Sequence, residues 1–258
     1  MSCSRGALLI GVSAVLVACG GGSPATPVQC GSDLATDEEL ALTPRSDPNL
    51  EQLAIVATGR VVAGQSQYDR VVRDVSVIRK MRPDLEGIGF YPGFGQAVIV
   101  YATESALAAM AAGRYEAWAC LNSRFNVTSM TFETNFMGAP DRVRLEFEGV
   151  YDDPLLAERY AELPSVTRAS AGAVIGDGST LCVTAGDPNW HYVVDQGSGD
   201  CPLGCIDHDY SYFVTTAEGA VTASGSWTTG SGHPIPSWVT DYVNTEACHG
   251  VSFGAPAT

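Results

Sequence analysis

Lysine is all but missing from this chain: of 258 residues, only Lys80 is one. Arginine does not make up the deficit in the last third, where neither Lys nor Arg occurs after Arg168. With a net charge of -15, the chain lacks the basic surface that phosphate binding needs, which excludes a nucleic-acid partner. The apolar run Ala7 to Ala18 falls short of the ~20 residues of a spanning helix and has the length of a signal-peptide core. No HExxH is present, and Gly172 to Gly178 lacks the Lys-Ser/Thr ending of a P-loop.

What is there is ordinary in bulk, with 45% hydrophobic residues, enough for one large domain or two small ones. Nine Asp or Glu lie beyond Arg168: Asp177, Asp187, Asp195, Asp200, Asp207, Asp209, Glu218, Asp241 and Glu246. They read as a solvated acidic surface, with a surface for cations or a basic partner as the sharper alternative. Eight cysteines are present. Leaving aside Cys3 and Cys19, the even set Cys30, Cys120, Cys182, Cys201, Cys205 and Cys248 suggests three disulfides among fifteen possible connectivities. Zinc is the weaker alternative, because the close pair Cys201 and Cys205 has no second close pair.

The chain is organised around Arg142-Val-Arg-Leu-Glu-Phe-Glu148. Val143, Leu145 and Phe147 alternate with Arg142, Arg144, Glu146 and Glu148, the period of a strand buried on one face. Around it, Ala97 to Gly172 reads as strand, helix, strand, strand, helix, strand, a ferredoxin-like βαββαβ module. The strands fall at Gln96 to Thr103, Val127 to Thr134 (Met130 and Phe132 inward), the Arg142 run and Val166 to Ala171. One helix runs from Glu104 to about Asn122; the other opens at Asp153-Pro154, aspartate as cap and proline in the first turn. Upstream, Asn49 to Thr58 and Ser66 to Arg82 are helices. The second carries an apolar stripe of Tyr68, Val71, Val72, Val75 and Ile78 and, between Arg70 and Arg82, five basic residues. A solvated face with local ion pairs is preferred there over a docking surface for the acidic part. From Gly176, Leu181 to Ala185, Trp190 to Asp195, Cys205 to Thr216 and Ala220 to Thr228 form an antiparallel meander, and the tail after Gly230 is irregular, anchored by Trp238 and Cys248. The expected fold class is α+β: N-terminal helices, the ferredoxin-like module, then a disulfide-bearing β meander. The expected division is 1–18 signal peptide, 19–48 flexible tether, 49–173 helical lead-in plus module, and 174–258 cysteine-containing β unit.

Three resemblances to known families have residues behind them. Leu16-Val-Ala-Cys19 followed by Gly20-Gly-Gly-Ser23 resembles a bacterial lipobox. The resemblance implies cleavage before Cys19, lipidation of its sulfur with palmitate-type chains, and an extracytoplasmic protein anchored in the cell envelope, at the outer membrane or cell surface. Leu156-Ala-Glu-Arg-Tyr-Ala-Glu-Leu-Pro-Ser-Val166, with the element order around it, resembles the ferredoxin-like propeptides and inhibitors of subtilisin-type proteases. That resemblance implies a protease as partner, packed on the open sheet face, with Ala171-Gly-Ala-Val-Ile175 entering its cleft. Trp190-His-Tyr-Val-Val-Asp195, Gly199-Asp-Cys-Pro-Leu-Gly-Cys-Ile206 and Tyr210-Ser-Tyr-Phe213 resemble the ends of exported bacterial lipoproteins, and no activity comes with that likeness.

For chemistry, the candidates are few. His191 and His208 fall on neighbouring strands, with Asp207 and Asp209 beside the second, so a two-His, carboxylate metal site is one expectation and ordinary strand histidines are the other. Asp195-Gln-Gly-Ser-Gly-Asp200 lacks the EF-hand pattern. Ser231 near His233 on a loop does not define a triad, since geometry does. Glu146 and Glu148 read as solubilising rather than as an acid/base pair. The leading expectation is a tethered, non-enzymatic binding or inhibitor-like module without a cofactor. Its contact candidates are Trp190, Tyr192, Tyr210, Tyr212 and Trp227. A metal-dependent hydrolase and a structural envelope protein are the alternatives.

Overall fold

The computed structural model describes residues 30–90, 96–134, 138, 140–172, 178–199, 201, 205–245 and 248. The signal peptide, Cys19 and residues 173–175 of the cleft segment lie outside them. Two four-stranded antiparallel sheets and a set of helices make up an α+β fold.

In the first sheet, β1 (Ala97–Ala102), β2 (Val127–Glu133), β3 (Arg142–Phe147) and β4 (Val166–Ala171) lie in the order β2-β3-β1-β4. Helices α4 (Glu104–Ala111) and α5 (Ala119–Arg124) join β1 to β2, and α6 (Asp153–Ala161) joins β3 to β4. The alternation in β3 has its expected consequence: Val143, Leu145 and Phe147 are buried, and Arg142, Arg144 and Glu146, which alternate with them, are half-buried. Leu145 lies opposite Val98 on one side and Met130 on the other. The helices supply Met110, Trp118, Leu121, Phe125, Leu156 and Tyr160 to the same core.

Three local expectations change. The connection after β1 is not one helix, because Gly113 takes a left-handed φ of 67° and ends α4, as glycine beyond a helix C-terminus does. A 3-10 turn, Glu116–Trp118, and α5 follow. Helix α6 is capped by Asp152, which accepts from the Leu155 amide at 2.9 Å; Asp153 sits one position later, wholly buried. Met130 and Phe132 share the core side with Leu145 and Val143 but are 49% and 40% exposed, since edge strand β2 reaches past the helix cover.

The second sheet is a meander of β5 (Thr180–Ala185), β6 (Trp190–Ser198), β7 (Asp207–Thr215) and β8 (Val221–Thr228), paired in sequence order. One face, bearing Leu181, Val183, Trp190, Tyr192, Val194 and Phe213, packs on α2 (Pro48–Thr58) and α3 (Gln65–Met81) through Leu53, Ile55, Val71, Val75 and Ile78. The two lead-in helices therefore share a core with the second sheet, although in sequence they run straight into the first. The basic stretch keeps the expected local ion pairs, Arg70 and Arg73 with Asp74 and Arg82 with Asp84, and Arg73 and Lys80 are exposed, but three of its arginines also reach the second sheet. Arg70 lies 4.3 Å from the Trp190 ring centroid and donates to the Thr215 carbonyl at 3.4 Å. Arg73 donates to the Ala217 carbonyl at 3.1 Å, and Arg82 to Ser211 Oγ at 3.2 Å. Asp74, fully buried, accepts from Thr215 Oγ1 at 2.6 Å and Tyr192 Oη at 3.3 Å. Val72, placed in the stripe by sequence, is 37% exposed.

The tether expectation fails for residues 30–48. Cys30 is bonded to Cys120, Ala35 is buried, and α1 (Asp37–Leu40) carries a Thr36/Glu39 capping box. Arg124 pairs with Asp37 at 2.7 Å and Arg159 with Asp33. The tail is not irregular throughout either: Ser237–Val243 forms α7, which buries Val239 and Tyr242.

Candidate functional site

Antiparallel register decides what the second sheet shows on the face away from α2 and α3. Cys182 pairs with Val193, Thr184 with His191, Tyr212 with Val193 and Gly225, and Tyr210 with Asp195 and Trp227. These residues therefore share a face, and it is aromatic. Helix α7 crosses part of it. Trp238 stacks on Tyr212 at 5.1 Å between ring centroids and lies against Gly225, where a Cβ would come within 3.2 Å of the indole nitrogen. His191 lies nearly coplanar with the same tyrosine, ring centroids 5.9 Å apart, meeting it edge to edge with Nδ1 2.6 Å from Tyr212 Oη. The Cys182–Cys248 disulfide pins the chain after α7 beside this stack.

Between sheet and helix a pocket of about 240 Å³ opens, lined by Thr184, His191, Tyr212, Trp238, Asp241 and Thr245 among others. Burial raises the Tyr212 phenol above its usual range, and the charge of Asp241 adds to the rise. Further along the same face, Asp195 is buried and bonds His208 Nδ1 at 2.9 Å, with Tyr242 Oη 3.4 Å from its other oxygen.

The predicted metal set is not brought together. His191 pairs with Val214, six positions along β7 from His208, a separation of about 20 Å at ~3.4 Å per residue. Asp207 and Asp209 flank His208 in sequence, and strand alternation therefore turns them to the opposite face; Asp209 accepts from Thr228 Oγ1 at 2.6 Å. Among the described residues no group of three or more His, Cys, Asp or Glu is placed to hold a metal ion. His233 is exposed and its carbonyl accepts from Trp227 Nε1 at 3.4 Å; His249 lies outside the described residues. Gly250-Val-Ser-Phe-Gly254 has nucleophile-elbow spacing but also lies outside them, and that motif needs a strand-to-helix turn.

The five contact candidates divide. Trp190 and Tyr192 are core residues packed under α2 and α3, and burial, with Asp74 close by, raises the Tyr192 phenol. Tyr210 is 8% exposed. Tyr212 and Trp227 are half-buried on the aromatic face. Trp238 and Asp241 join the site only because α7 folds back, which no strand or helix period in the tail announced.

The first sheet's uncovered face carries a second polar group. Arg142 pairs with Glu133 at 2.5 Å and donates to Tyr101 Oη at 3.1 Å, while the Arg168 guanidinium lies 4.2 Å from the Tyr101 ring centroid. Burial pushes the Tyr101 phenol up, but bonds from Arg142 and Arg168 outweigh it and the net shift is downward. Arg144 pairs with Glu146 at 3.0 Å, so those charges are largely internal.

The six cysteines pair as Cys30–Cys120, Cys182–Cys248 and Cys201–Cys205, with Cα separations of 5.4, 5.6 and 4.0 Å. Fold and site thus define an α+β protein of two antiparallel sheets, bound by disulfides and opening one aromatic pocket beside its last described helix. No family model matches the chain, and neither a curated protein nor a solved structure matches it.

Proposed function

We propose that this chain is an extracytoplasmic lipoprotein, anchored in the cell envelope through lipid on Cys19, that acts as a non-catalytic binding module. The observation that carries the binding role is the pocket beside α7, where aromatic walls and a few polar groups converge, the usual make-up of a ligand site. The bonded cysteines support an oxidising compartment outside the cytoplasm. No helix among the described residues is long and apolar enough to cross a membrane. Replacing Cys19→Ser should move the protein from the membrane fraction to the soluble fraction and abolish incorporation of labelled palmitate. Retention of the variant in the membrane fraction after a carbonate wash would end the lipid-anchor reading.

A second reading, an inhibitor of subtilisin-type proteases, is favoured by the strand order β2-β3-β1-β4 with helices on one face only. Its uncovered face holds Tyr101, Arg142, Arg144 and Arg168. On this reading, micromolar protein slows at least one member of a panel of subtilisin-like proteases at least tenfold. Unchanged hydrolysis across the panel rejects it and leaves the pocket reading intact.

A further inference from the structure

The pocket beside α7 is selective in its chemistry. At about 240 Å³ it has room for one side-chain-sized group rather than a drug-sized ligand. Trp238 and Tyr212 stack with an interplanar angle of 8°, and His191 lies nearly coplanar with Tyr212 at its hydroxyl edge, so the three rings make one aromatic wall. Aromatic faces are negative and attract cations, tryptophan most of all. Asp241 lines the pocket and is exposed, and its charge is felt at the Tyr212 hydroxyl.

Positive charge is excluded from the same place. Neither Lys nor Arg is among the described lining residues. The basic group that does line it, His191, holds its Nδ1 against Tyr212 Oη at 2.6 Å. The sequence after Arg168 carries nine acidic residues and no Lys or Arg. The arginines of α3 and Arg82 just after it reach this sheet at Ser211, at the Thr215 carbonyl and at the turn carbonyls of Pro188 and Ala217; Ser211 and Thr215 pair on the side occupied by α2 and α3, and none of the four residues lines the pocket. On the aromatic face the placed acids are Asp195, bonded to His208, and Asp241 at the pocket, with no Lys or Arg among the described residues there, so the fixed charge at the pocket is negative, which favours cations and repels anions. A carboxylate or phosphate entering the pocket would meet Asp241 without a fixed cation to offset it.

We propose that this pocket binds an alkylammonium or guanidinium group, presented by a lysine or arginine side chain of a polypeptide or by a free polyamine. Trp238 and Tyr212 supply the aromatic surface and Asp241 the counter-charge. The inference rests on the binding-module reading and narrows its ligand.

The test is titration of the full chain, followed by calorimetry and by NMR shifts of the Tyr212 and Trp238 rings. The probes are cadaverine, acetyl-Gly-Lys-Gly-amide, its norleucine counterpart and hexanoate. The expected result is at least tenfold tighter binding of a cationic probe than of norleucine peptide or hexanoate, with affinity falling as salt rises. Preference for the lysine peptide over cadaverine assigns the source to a polypeptide, and the reverse order to a free amine. Asp241→Asn, at an exposed position, should lose that tenfold advantage while near-UV circular dichroism stays unchanged; Trp238→Leu should weaken all probes. If norleucine peptide or hexanoate shifts the pocket rings as strongly as the cations, and Asp241→Asn changes nothing, the cation assignment is overturned while the binding pocket stands. If millimolar amounts of every probe leave both rings unshifted, both are overturned.

Discussion

Asp153 shows how far one carboxyl can be taken from its ordinary behaviour. It is fully buried at the start of α6, and one oxygen accepts from the Ala97 amide at 3.3 Å. Burial raises its pKa to about 7; the Ala97 amide opposes the rise, the neighbouring Asp152 charge adds to it, and the Gln96 amide and Arg144 oppose it further. A carboxyl whose folded pKa is raised holds its proton in the native chain where the unfolded chain has lost it, so stability falls as pH rises between about 4 and 7. The slope from this one group is at most ~1.4 kcal/mol per pH unit. Urea unfolding followed from pH 4.5 to 8 should show that decline, and Asp153→Asn should flatten much of it while keeping an acceptor for Ala97. Burial raises Glu51 and Asp152 as well, so a shallower slope of the same sign remains in the variant. An unchanged slope would mean that Asp153 is ionised in the native chain at neutral pH.

At the scale of elements, α3 is the member that ties the parts together. Its apolar stripe was readable, because Val71, Val75 and Ile78 recur at helical spacing and are all buried. Its partner was not readable, because the same stripe could face either sheet. Asp74 explains the specificity of the choice: it is 0% exposed, contacts Arg70 at 3.6 Å and Arg73 at 2.9 Å, and accepts from Thr215 and Tyr192 on the second sheet. Removing one partner of a buried, hydrogen-bonded charge set is costly because the others stay desolvated. Asp74→Ala should therefore lower unfolding free energy by about 3–5 kcal/mol, read from the midpoint of chemical denaturation. A loss below ~1 kcal/mol would show that the arginines find water instead. Helices α4 and α5 teach a related point. Of the apolar positions along this connection, Met110, Trp118 and Leu121 reach the core and Ala111 stays exposed, and the single helix drawn through them is broken at Gly113. The pattern marks the face, and one left-handed residue decides the path.

For the whole molecule, long-range disulfides matter in proportion to the loop they close. Cys182 and Cys248 are 66 positions apart, whereas Cys201 and Cys205 are 4 apart. Constraint of the unfolded chain grows with loop length. Replacing Cys182 and Cys248 together by Ser should cost about 2–4 kcal/mol and loosen the chain beyond α7. The same double change at Cys201 and Cys205 should cost less than half as much, by the same denaturant measurement. Equal losses would place the stabilisation in local packing rather than chain restriction.

What the sequence by itself determined is the identity and polarity of the elements. The period of two in Arg142 to Phe147, the run Ala97 to Ala102, the four strands after Gly178 and the two helices at 48–58 and 65–81 are local properties, written in neighbouring side chains. Strand period and helical stripe are set over a few residues, so they survive without knowledge of the fold. Only the tertiary structure decided which cysteines meet, that α2 and α3 cover the second sheet, that His191 and His208 share a face yet stand far apart, and that Trp238 and Asp241 complete a pocket with Tyr212. Those outcomes depend on strand register and on a helix returning across a sheet, where distant residues come together through buried area and shared charge. No short window of sequence contains both partners of such a contact, and so no local pattern can announce it.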